Sequence, residues 1–138
     1  MIGYVTVGAD DLLLAERFYS AFLPSLGYSL DISSGGLTYS ILGTTDQGPG
    51  QADFYVKPPF NGQAASVGNG MMVAFQVRTQ AMVCALHAAA IAAGGRTEGA
   101  PGFRAEYSAH FYVGYLRDPQ GNKIALFCNN QDQPERPT

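Results

Sequence analysis

The sequence contains an internal repeat with an offset of 68 positions, and this repeat limits the fold more than any other feature. A strand-like segment opens each half, at 4–7 in the first and at 72–75 in the second. The same offset relates later positions in the pairs Asp11 and Thr79, Ala15 and Val83, Phe18 and Leu86, Phe22 and Ala90, and Gly27 and Gly95. One shift that matches a strand, a helix cap, a helix face and a glycine predicts two similar modules with a ligand site between them.

The first module begins with a predicted strand at 2–8, in which Val5 and Val7 share one face and Tyr4 and Thr6 share the other. Three further strands are predicted between turns rich in glycine, serine and aspartate, at 28–32, 37–42 and 53–56. Prolines and glycines then dominate 58–69, which we interpret as a linker. The first module is therefore expected at about 1–57.

A helix is predicted between the first two strands. Asp10 or Asp11 supplies a side-chain oxygen to the open amides at its start. Its apolar stripe recurs at three- and four-residue spacing, at Ala15, Phe18, Phe22 and Leu26. Pro24 is expected to end or bend the helix, and Gly27 is predicted to stop it in a left-handed conformation.

The second module, at about 70–128, repeats this plan. A strand at 72–77 leads to Thr79, which is predicted to cap a helix with a buried stripe of Val83, Leu86 and Ala90. Gly94 and Gly95 are predicted to stop that helix. The remaining segments are predicted as a loop at 98–102, strands at 111–116 and 123–128, a turn at 117–122 and a loose polar tail at 129–138. We therefore predict an α+β fold of two βαβββ modules that form an incomplete barrel with a central cleft, in a single domain at 1–128.

Composition restricts the partners. The chain has 138 residues, of which 46% are hydrophobic and 14% charged, whereas about 25% is typical of soluble domains. So few charges predict a surface buried against a second copy, and we expect a homodimer. The net charge of −3 without a basic stripe argues against nucleic acid, and no apolar run approaches the roughly 20 residues that span a bilayer. With no charged leader, the expected location is the cytoplasm, where Cys84 and Cys128 are expected to be buried free thiols.

The ordered set of segments resembles the vicinal oxygen chelate superfamily, which includes glyoxalase I, extradiol dioxygenases and bleomycin-resistance proteins. The resemblance covers about residues 1–128, and the segments that match best are 4–12, 18–19, 26–28, 73–75, 88–95, 99–102 and 117–122. It implies the paired βαβββ fold described above. In such a barrel, the strand faces that do not pack on the helices point inward and place Tyr4 and Met72 on its inside.

The resemblance also implies where a metal ion would be held. Metal-dependent members place a histidine on the first strand of a module and a glutamate or glutamine on its last strand. The corresponding residues here are Tyr4, Phe54, Met72 and Ala125, and a shift of one residue would bring in Asp53 or Tyr55. None of the four is an imidazole or carboxylate ligand of the kind that iron, zinc or nickel requires. We therefore expect neither a metal nor another cofactor.

The chain has two histidines, and one of them is a candidate base. His110 precedes the aromatic strand, and Glu106 or Tyr107 would orient it or donate a proton. A solvated polar loop is the alternative interpretation of this segment. The other histidine, His87, is expected to be half exposed on the flank of the second helix.

Aromatic content favours a binding cavity over a reaction centre. The side chains expected to face inward, and so to bind a ligand, are Tyr4, Tyr39, Phe54, Met72, Tyr107, Tyr112, Ala125 and Phe127. The alternative is that these residues only fill a small barrel.

We therefore predict a family member that has lost metal binding and binds a small, partly apolar organic molecule in the cleft. Two alternatives remain at this point. One is a lyase, isomerase or dioxygenase-like enzyme of the same superfamily, in which His110 and Glu106 act without a metal. The other is an interaction role that uses only the dimer surface.

Overall fold

The computed structural model describes residues 1–33, 35–41 and 50–138. Along the first half of this described part lie β1 (Tyr4–Gly8), α1 (Leu12–Tyr19), a 3₁₀ helix (Pro24–Leu26), β2 (Ser29–Ser33), β3 (Gly36–Ser40) and β4 (Asp53–Lys57). Along the second half lie β5 (Val73–Gln76), α2 (Gln80–Ala92), β6 (Arg96–Phe103), β7 (Tyr112–Arg117) and β8 (Lys123–Cys128). Leu42, the end of one predicted strand, lies outside the described residues. The order is βαβββ in both halves, as the repeat predicts.

Each half forms one four-stranded sheet, and the two sheets share a topology. The strand orders are β1-β4-β3-β2 and β5-β8-β7-β6. In each sheet the first strand runs parallel to the last one, and the other neighbours are antiparallel. The described strands form two open sheets and no closed barrel, which confirms the predicted α+β class and its pair of modules.

The helix ends are formed by the residue types that the sequence indicated. The Asp11 carboxylate accepts a hydrogen bond from the Leu14 amide at 3.0 Å, and the Thr79 hydroxyl accepts one from Met82 at 3.1 Å. Gly27 has a φ of 96° after the 3₁₀ helix that Pro24 begins. No helix of the described chain combines the length and the apolar character that a membrane span requires.

Both modules contribute to a single hydrophobic core on the helix-facing sides of the sheets. The ring of Phe75 on β5 meets the rings of Phe22 and Phe54 of the first module, at centroid distances of 5.9 Å and 5.3 Å. Tyr19 on α1 meets Phe54 at 5.0 Å. Polar contacts join the same modules, since the Asn122 amide donates to the Gly8 carbonyl at 2.9 Å. The two modules therefore pack together within one chain.

The predicted loop at 98–102 is wrong, because these residues belong to β6. The register of β6 against β7 shifts twice, between Thr97 and Gly99 and again between Gly99 and Gly102. Pro101 lies in this irregular stretch of an edge strand, where a missing amide hydrogen breaks no ladder. Glycine and proline indicated a loop, whereas an edge strand with bulges accommodates both.

The tail at 129–138 is not loose, contrary to the prediction. The Arg136 backbone amide donates to the Ala109 carbonyl at 2.8 Å, and the Gln80 amide donates to the Gln133 side chain at 2.9 Å. The Gln80 side chain donates to the Pro134 carbonyl at 2.7 Å. The tail therefore ties the start of α2 to the segment before β7.

Two side chains of α2 also differ from expectation. His87 is 7% exposed rather than half exposed, and its Nε2 lies 3.1 Å from the Tyr115 carbonyl oxygen. Gly114 on β7 makes room for it, because a Cβ there would lie 2.9 Å from the imidazole. Cys84 is exposed, whereas Cys128 is buried, and both are free thiols.

Candidate functional site

Each sheet has one side that faces the helices and one open side, and the strand register decides which residues lie on which. In the first sheet, Tyr4 is paired with Asp53 and Thr6 with Tyr55, so these four residues lie on the open side. The rings of Tyr4 and Tyr55 meet edge to face at 5.4 Å. Tyr4 is 66% exposed, so this side of the sheet is uncovered.

The open side of the second sheet is more aromatic. Ala74, Ala125 and Tyr115 are in register across β5, β8 and β7. Phe127 lies on the same side, and Phe111 stacks on it at 5.5 Å with an interplanar angle of 20°. The Arg104 guanidinium lies 5.5 Å from the centre of the Tyr115 ring. The segment before β7 therefore folds back over this side of the sheet.

Three of the four positions inferred from the family resemblance lie on the open sides, and the fourth does not. Phe54 is 2% exposed and packs in the core on the helix-facing side, not on the open side as predicted, yet it also lines the smaller of two cavities between the modules. Strand alternation places Asp53 and Tyr55 on the open side instead. Phe54 faces the helices because α1 needs an apolar surface to cover.

Donor atoms at these positions are sparse. Tyr4 supplies a phenol, Met72 a thioether, Ala125 a methyl group and Asp53 one carboxylate. Among the residues that the structure describes, no three histidine, cysteine, aspartate or glutamate side chains lie together as a metal site would need.

Two neighbouring cavities lie between the modules, and we call them together the inter-module groove. The larger has a volume of about 810 Å³ and the smaller about 370 Å³. Both are lined by Tyr28, Gln51, Ala74 and Phe75. The groove follows β5, an edge strand of the second sheet.

The larger cavity is lined by polar and apolar groups to a similar extent, whereas the smaller one is mainly apolar. Phe127 lines the larger cavity together with Gln76 and Asn130. Met72 and Asp53 line the smaller cavity. Burial, and to a lesser extent the Asp53 carboxylate, raise the pKa of Tyr28, so its phenol is a neutral hydrogen-bond donor at neutral pH. The groove therefore provides flat apolar surface together with carboxylate, phenol, amide and, from Arg78, guanidinium groups.

Sequence reasoning found only part of this groove. Met72, Phe127 and Phe54 line it as expected, while Tyr28, Gln51 and Gln76 were missed. Gln76 could have been found from the sequence, because strand alternation places it on the same face as Met72. Tyr28 and Gln51 come from the other module, and no pattern in the sequence links them to β5.

Two tyrosines predicted to line the cleft lie on the helix-facing side instead. Tyr39 is fully buried, and its hydroxyl lies 2.8 Å from that of Ser20. Burial raises the pKa of Tyr39 to about 12. The Tyr112 hydroxyl lies 3.2 Å from the Cys84 sulfur on α2. Their orientation follows from the strand register, since Tyr39 is paired with Phe54 and Tyr112 with Cys128.

The expected pairing of His110 with Glu106 is not formed. His110 Nδ1 lies 3.2 Å from the Gln133 carbonyl oxygen, and Nε2 lies 3.3 Å from a carboxylate oxygen of Glu135. Glu106 is exposed. Tyr107, the other partner considered, packs edge to face on Phe111 at 5.3 Å. The tail therefore contacts both ring nitrogens of the candidate base. Residues 104–110 form turns and not a helix, so the four-residue spacing does not bring Glu106 to His110.

Arg136 fixes this segment, and its loss is expected to loosen it. One guanidinium nitrogen donates to the carbonyls of Arg104 at 3.0 Å and Tyr107 at 2.8 Å. Arg136→Ala should speed amide hydrogen exchange at 104–110 by about tenfold, since charge-assisted bonds contribute roughly 1.5–3 kcal/mol. Arg17→Ala, at an exposed position of α1, is the control. Equal exchange rates at 104–110 in both variants would show that the tail does not restrain the segment.

Solved structures show what the chain is similar to. A glyoxalase/bleomycin resistance protein from Albidiferax ferrireducens is 36% identical, with a TM-score of 0.76 over 93% of this chain and 98% of that one. A glyoxalase-related enzyme from Fulvimarina pelagi is 22% identical, with a TM-score of 0.69 over 94% and 88%. Lactoylglutathione lyase from Agrobacterium tumefaciens is 19% identical, with a TM-score of 0.58 over 93% and 92%. Neither a family sequence model nor a curated protein sequence matches the chain.

Proposed function

Because this chain belongs to the glyoxalase/bleomycin resistance protein family, we propose that it binds a small, partly apolar organic molecule in the inter-module groove and does so without a metal ion. The observation that supports this most is the donor set on the open sides. At the positions where the family resemblance places metal ligands, this chain has a phenol, a thioether and a methyl group, with Asp53 as the one carboxylate. One carboxylate does not replace the three or four donors of a catalytic metal site.

The dimensions of the groove fit such a ligand. Cavities that bind small organic molecules typically measure about 300–1,000 Å³ and are mainly apolar with a few placed polar groups. The two cavities of the groove, of about 810 Å³ and 370 Å³, fall in this range. Phe75 and Phe127 provide flat surfaces for a ring, and Tyr28 provides a hydrogen-bond donor at the side.

A homodimer is part of this proposal. Large apolar side chains remain uncovered in the single chain, and several lie on or near the open sides, as do Tyr4 at 66%, Met72 at 43% and Ile2 at 70% exposure. Phe60 in the linker is fully exposed as well. Such surface favours association with a second copy. The exposed thiol of Cys84 is compatible with the reducing cytoplasm as the working location.

Blocking the groove tests the binding proposal. Ala74 is exposed and lines both cavities, so Ala74→Trp should fill the space that a ring would occupy. We expect affinity for the neutral fluorescent dye phenylnaphthylamine to fall at least tenfold, which corresponds to a loss of about 1.4 kcal/mol of binding free energy. Fluorescence titration measures it.

Leu13→Trp is the matched control, since Leu13 is 78% exposed on α1 and lines neither cavity. It should leave dye affinity unchanged. A wild-type protein that does not bind the dye, or two variants that bind it equally, would contradict the groove as the site.

Native mass spectrometry tests the remaining parts of the proposal. The protein, purified and then incubated with zinc, nickel or iron(II), should give the mass of a metal-free dimer. A stoichiometric metal ion that is lost in a Tyr4→Phe, Asp53→Asn double variant would overturn the metal-free proposal. A monomer at micromolar concentration would overturn the dimer.

A further inference from the structure

Three cationic side chains lie side by side across the open side of the second sheet. Arg96 is in register with Arg117, and Arg117 is in register with Lys123, on the neighbouring strands β6, β7 and β8. Like charges directly opposite each other in a sheet destabilise it. An arrangement that costs stability in this way indicates that the positive charges serve a purpose other than folding.

Only one of these cations is neutralised by an ion pair among the described residues. Arg117 Nε donates to the Glu98 carboxylate at 2.8 Å, and its Nη1 donates to the Gly121 carbonyl at 3.1 Å. The Lys123 ammonium lies 5.1 Å from the centre of the Tyr115 ring. Hydrogen bonding to Arg117 lowers the pKa of Glu98, and the charges of Lys123 and Arg96 lower it further. All three cations thus act on one carboxylate, and the four side chains together keep a net charge of +2.

The cations line a cavity of about 720 Å³ that adjoins the inter-module groove. Glu98 is the only carboxylate among the described residues that line it. Met71 and Met72 line both this cavity and the smaller cavity of the groove. The two cavities are therefore neighbours along β5, so one elongated molecule can contact both.

We propose that Arg96, Arg117 and Lys123 bind an oxyanion group, a carboxylate, phosphate or sulfonate, carried by the ligand of the groove. This assignment rests on the proposed function and narrows it to amphipathic organic anions. Arginine binds such planar or tetrahedral oxyanions through two parallel hydrogen bonds, and lysine adds a point charge. Glu98 holds the Arg117 guanidinium in place, and its carboxylate competes with the ligand for the same charges.

The first module provides a matched control. Lys57 lies 5.3 Å from the centre of the Tyr55 ring, a contact similar to that of Lys123 with Tyr115. Its register partner is Gly8, not a second cation. A lone lysine on an aromatic ring therefore occurs in both modules, whereas the row of three cations occurs only in the second one among the described residues.

Two dyes separate this inference from the proposed function. Phenylnaphthylamine is neutral, and anilinonaphthalenesulfonate carries the same rings with one sulfonate. Lys123→Gln and Arg96→Gln should each lower the affinity for the sulfonated dye about tenfold and leave the affinity for the neutral dye unchanged. Glu98→Gln should raise the affinity for the sulfonated dye about threefold, since it removes a competing carboxylate. Lys57→Gln should change the affinity for neither dye.

The outcomes are distinct. If the sulfonated dye binds no more tightly than the neutral dye, or if Lys57→Gln weakens it as much as Lys123→Gln does, the oxyanion site is overturned and the groove stands. If the neutral dye does not bind while phenyl phosphate binds in a Lys123-dependent manner, the groove is overturned and the oxyanion site is supported. Displacement of the sulfonated dye by phenyl phosphate or by benzoate then distinguishes a phosphate ligand from a carboxylate ligand. If neither compound displaces the dye, the oxyanion site is overturned.

Discussion

Replacing Asp118 with alanine is expected to lower the free energy of unfolding by about 4 kcal/mol. Asp118 is 1% exposed, and its Oδ1 accepts backbone hydrogen bonds from Gln120, Gly121 and Asn122 at 2.8–2.9 Å. Its Oδ2 accepts the Tyr19 hydroxyl at 2.6 Å and the Asn122 amide at 2.9 Å. Alanine leaves the buried Tyr19 hydroxyl and the backbone amides of Gln120 and Asn122 without this acceptor, and it separates the β7–β8 turn from α1. Urea denaturation monitored by circular dichroism measures the loss of unfolding free energy.

Two variants separate the contributions to this effect. Tyr19→Phe removes one hydroxyl and should cost about 1.5 kcal/mol. Burial, followed by the Asp118 charge, raises the pKa of Tyr19 well above its ordinary value, so the hydroxyl is a donor at every physiological pH. Asp31→Ala, at an exposed position of β2, should change stability by less than about 0.5 kcal/mol. If Asp118→Ala lowers the free energy of unfolding no more than Asp31→Ala does, the hydrogen bonds of Asp118 in the β7–β8 turn do not hold the two modules together.

Gly95→Ala is expected to destabilise the protein by about 3 kcal/mol. A Cβ at position 95 would lie 2.5 Å from Cε1 of Phe18 and 2.9 Å from the Ala90 carbonyl oxygen. Phe18 is fully buried in the first module, so its ring has no free space to move into. The added methyl group therefore forces the two modules apart at their contact. Urea denaturation measures the shift, and hydrogen exchange should show faster opening around α1.

Gly3→Ala is the matched control for this substitution. Nothing lies within 4 Å of a Cβ at Gly3, and its backbone conformation suits any residue. Its effect should remain within about 0.5 kcal/mol. Similar midpoints for the two variants would mean that the close approach of Gly95 to Phe18 is not required for the modules to pack.

The two modules share a fold, but their open sides have diverged in chemistry. In the first sheet the open side is mainly polar, with Thr6, Thr38 and Tyr55 in register across β1, β3 and β4. In the second sheet it is aromatic near Phe127 and cationic near Lys123. The proposed oxyanion site lies on the second of these surfaces, and no equivalent row of cations occurs on the described part of the first.

Much of the secondary structure could be predicted from the sequence because local patterns determine it. The predicted ends of β8, at 123 and 128, match the observed ones. Thr79 caps α2 as predicted, and α1 is capped by Asp11, one of its two candidate residues. Capping and strand alternation depend on residues that are close together in the chain. The same holds for the turn at 117–122, where Asp118 binds amides of its near neighbours.

The candidate site was predicted only in part, because small errors in register reverse the direction of a side chain. Phe54 was aligned one position away from the open side, and its neighbours Asp53 and Tyr55 occupy that side. His110 was assigned to Glu106 by nearness in sequence, whereas its contacts are with the tail, at Gln133 and Glu135. Pairs such as Tyr28 with Phe75 join different modules and leave no periodic pattern.

The sequence by itself determined the repeat, the βαβββ order of each module and the helix caps, since these depend on interactions within a few residues. Only the tertiary structure decided how equivalent residues are used. The repeat relates Gly27 to Gly95, yet Gly27 ends a helix at positive φ while Gly95 leaves space for Phe18, and Gly94 takes the left-handed role at a φ of 106°. The physical reason is that burial and charge depend on which surfaces meet in space. Two modules with similar local sequence patterns therefore form a shared core and an inter-module groove, while the row of three cations occurs in only one of them among the described residues.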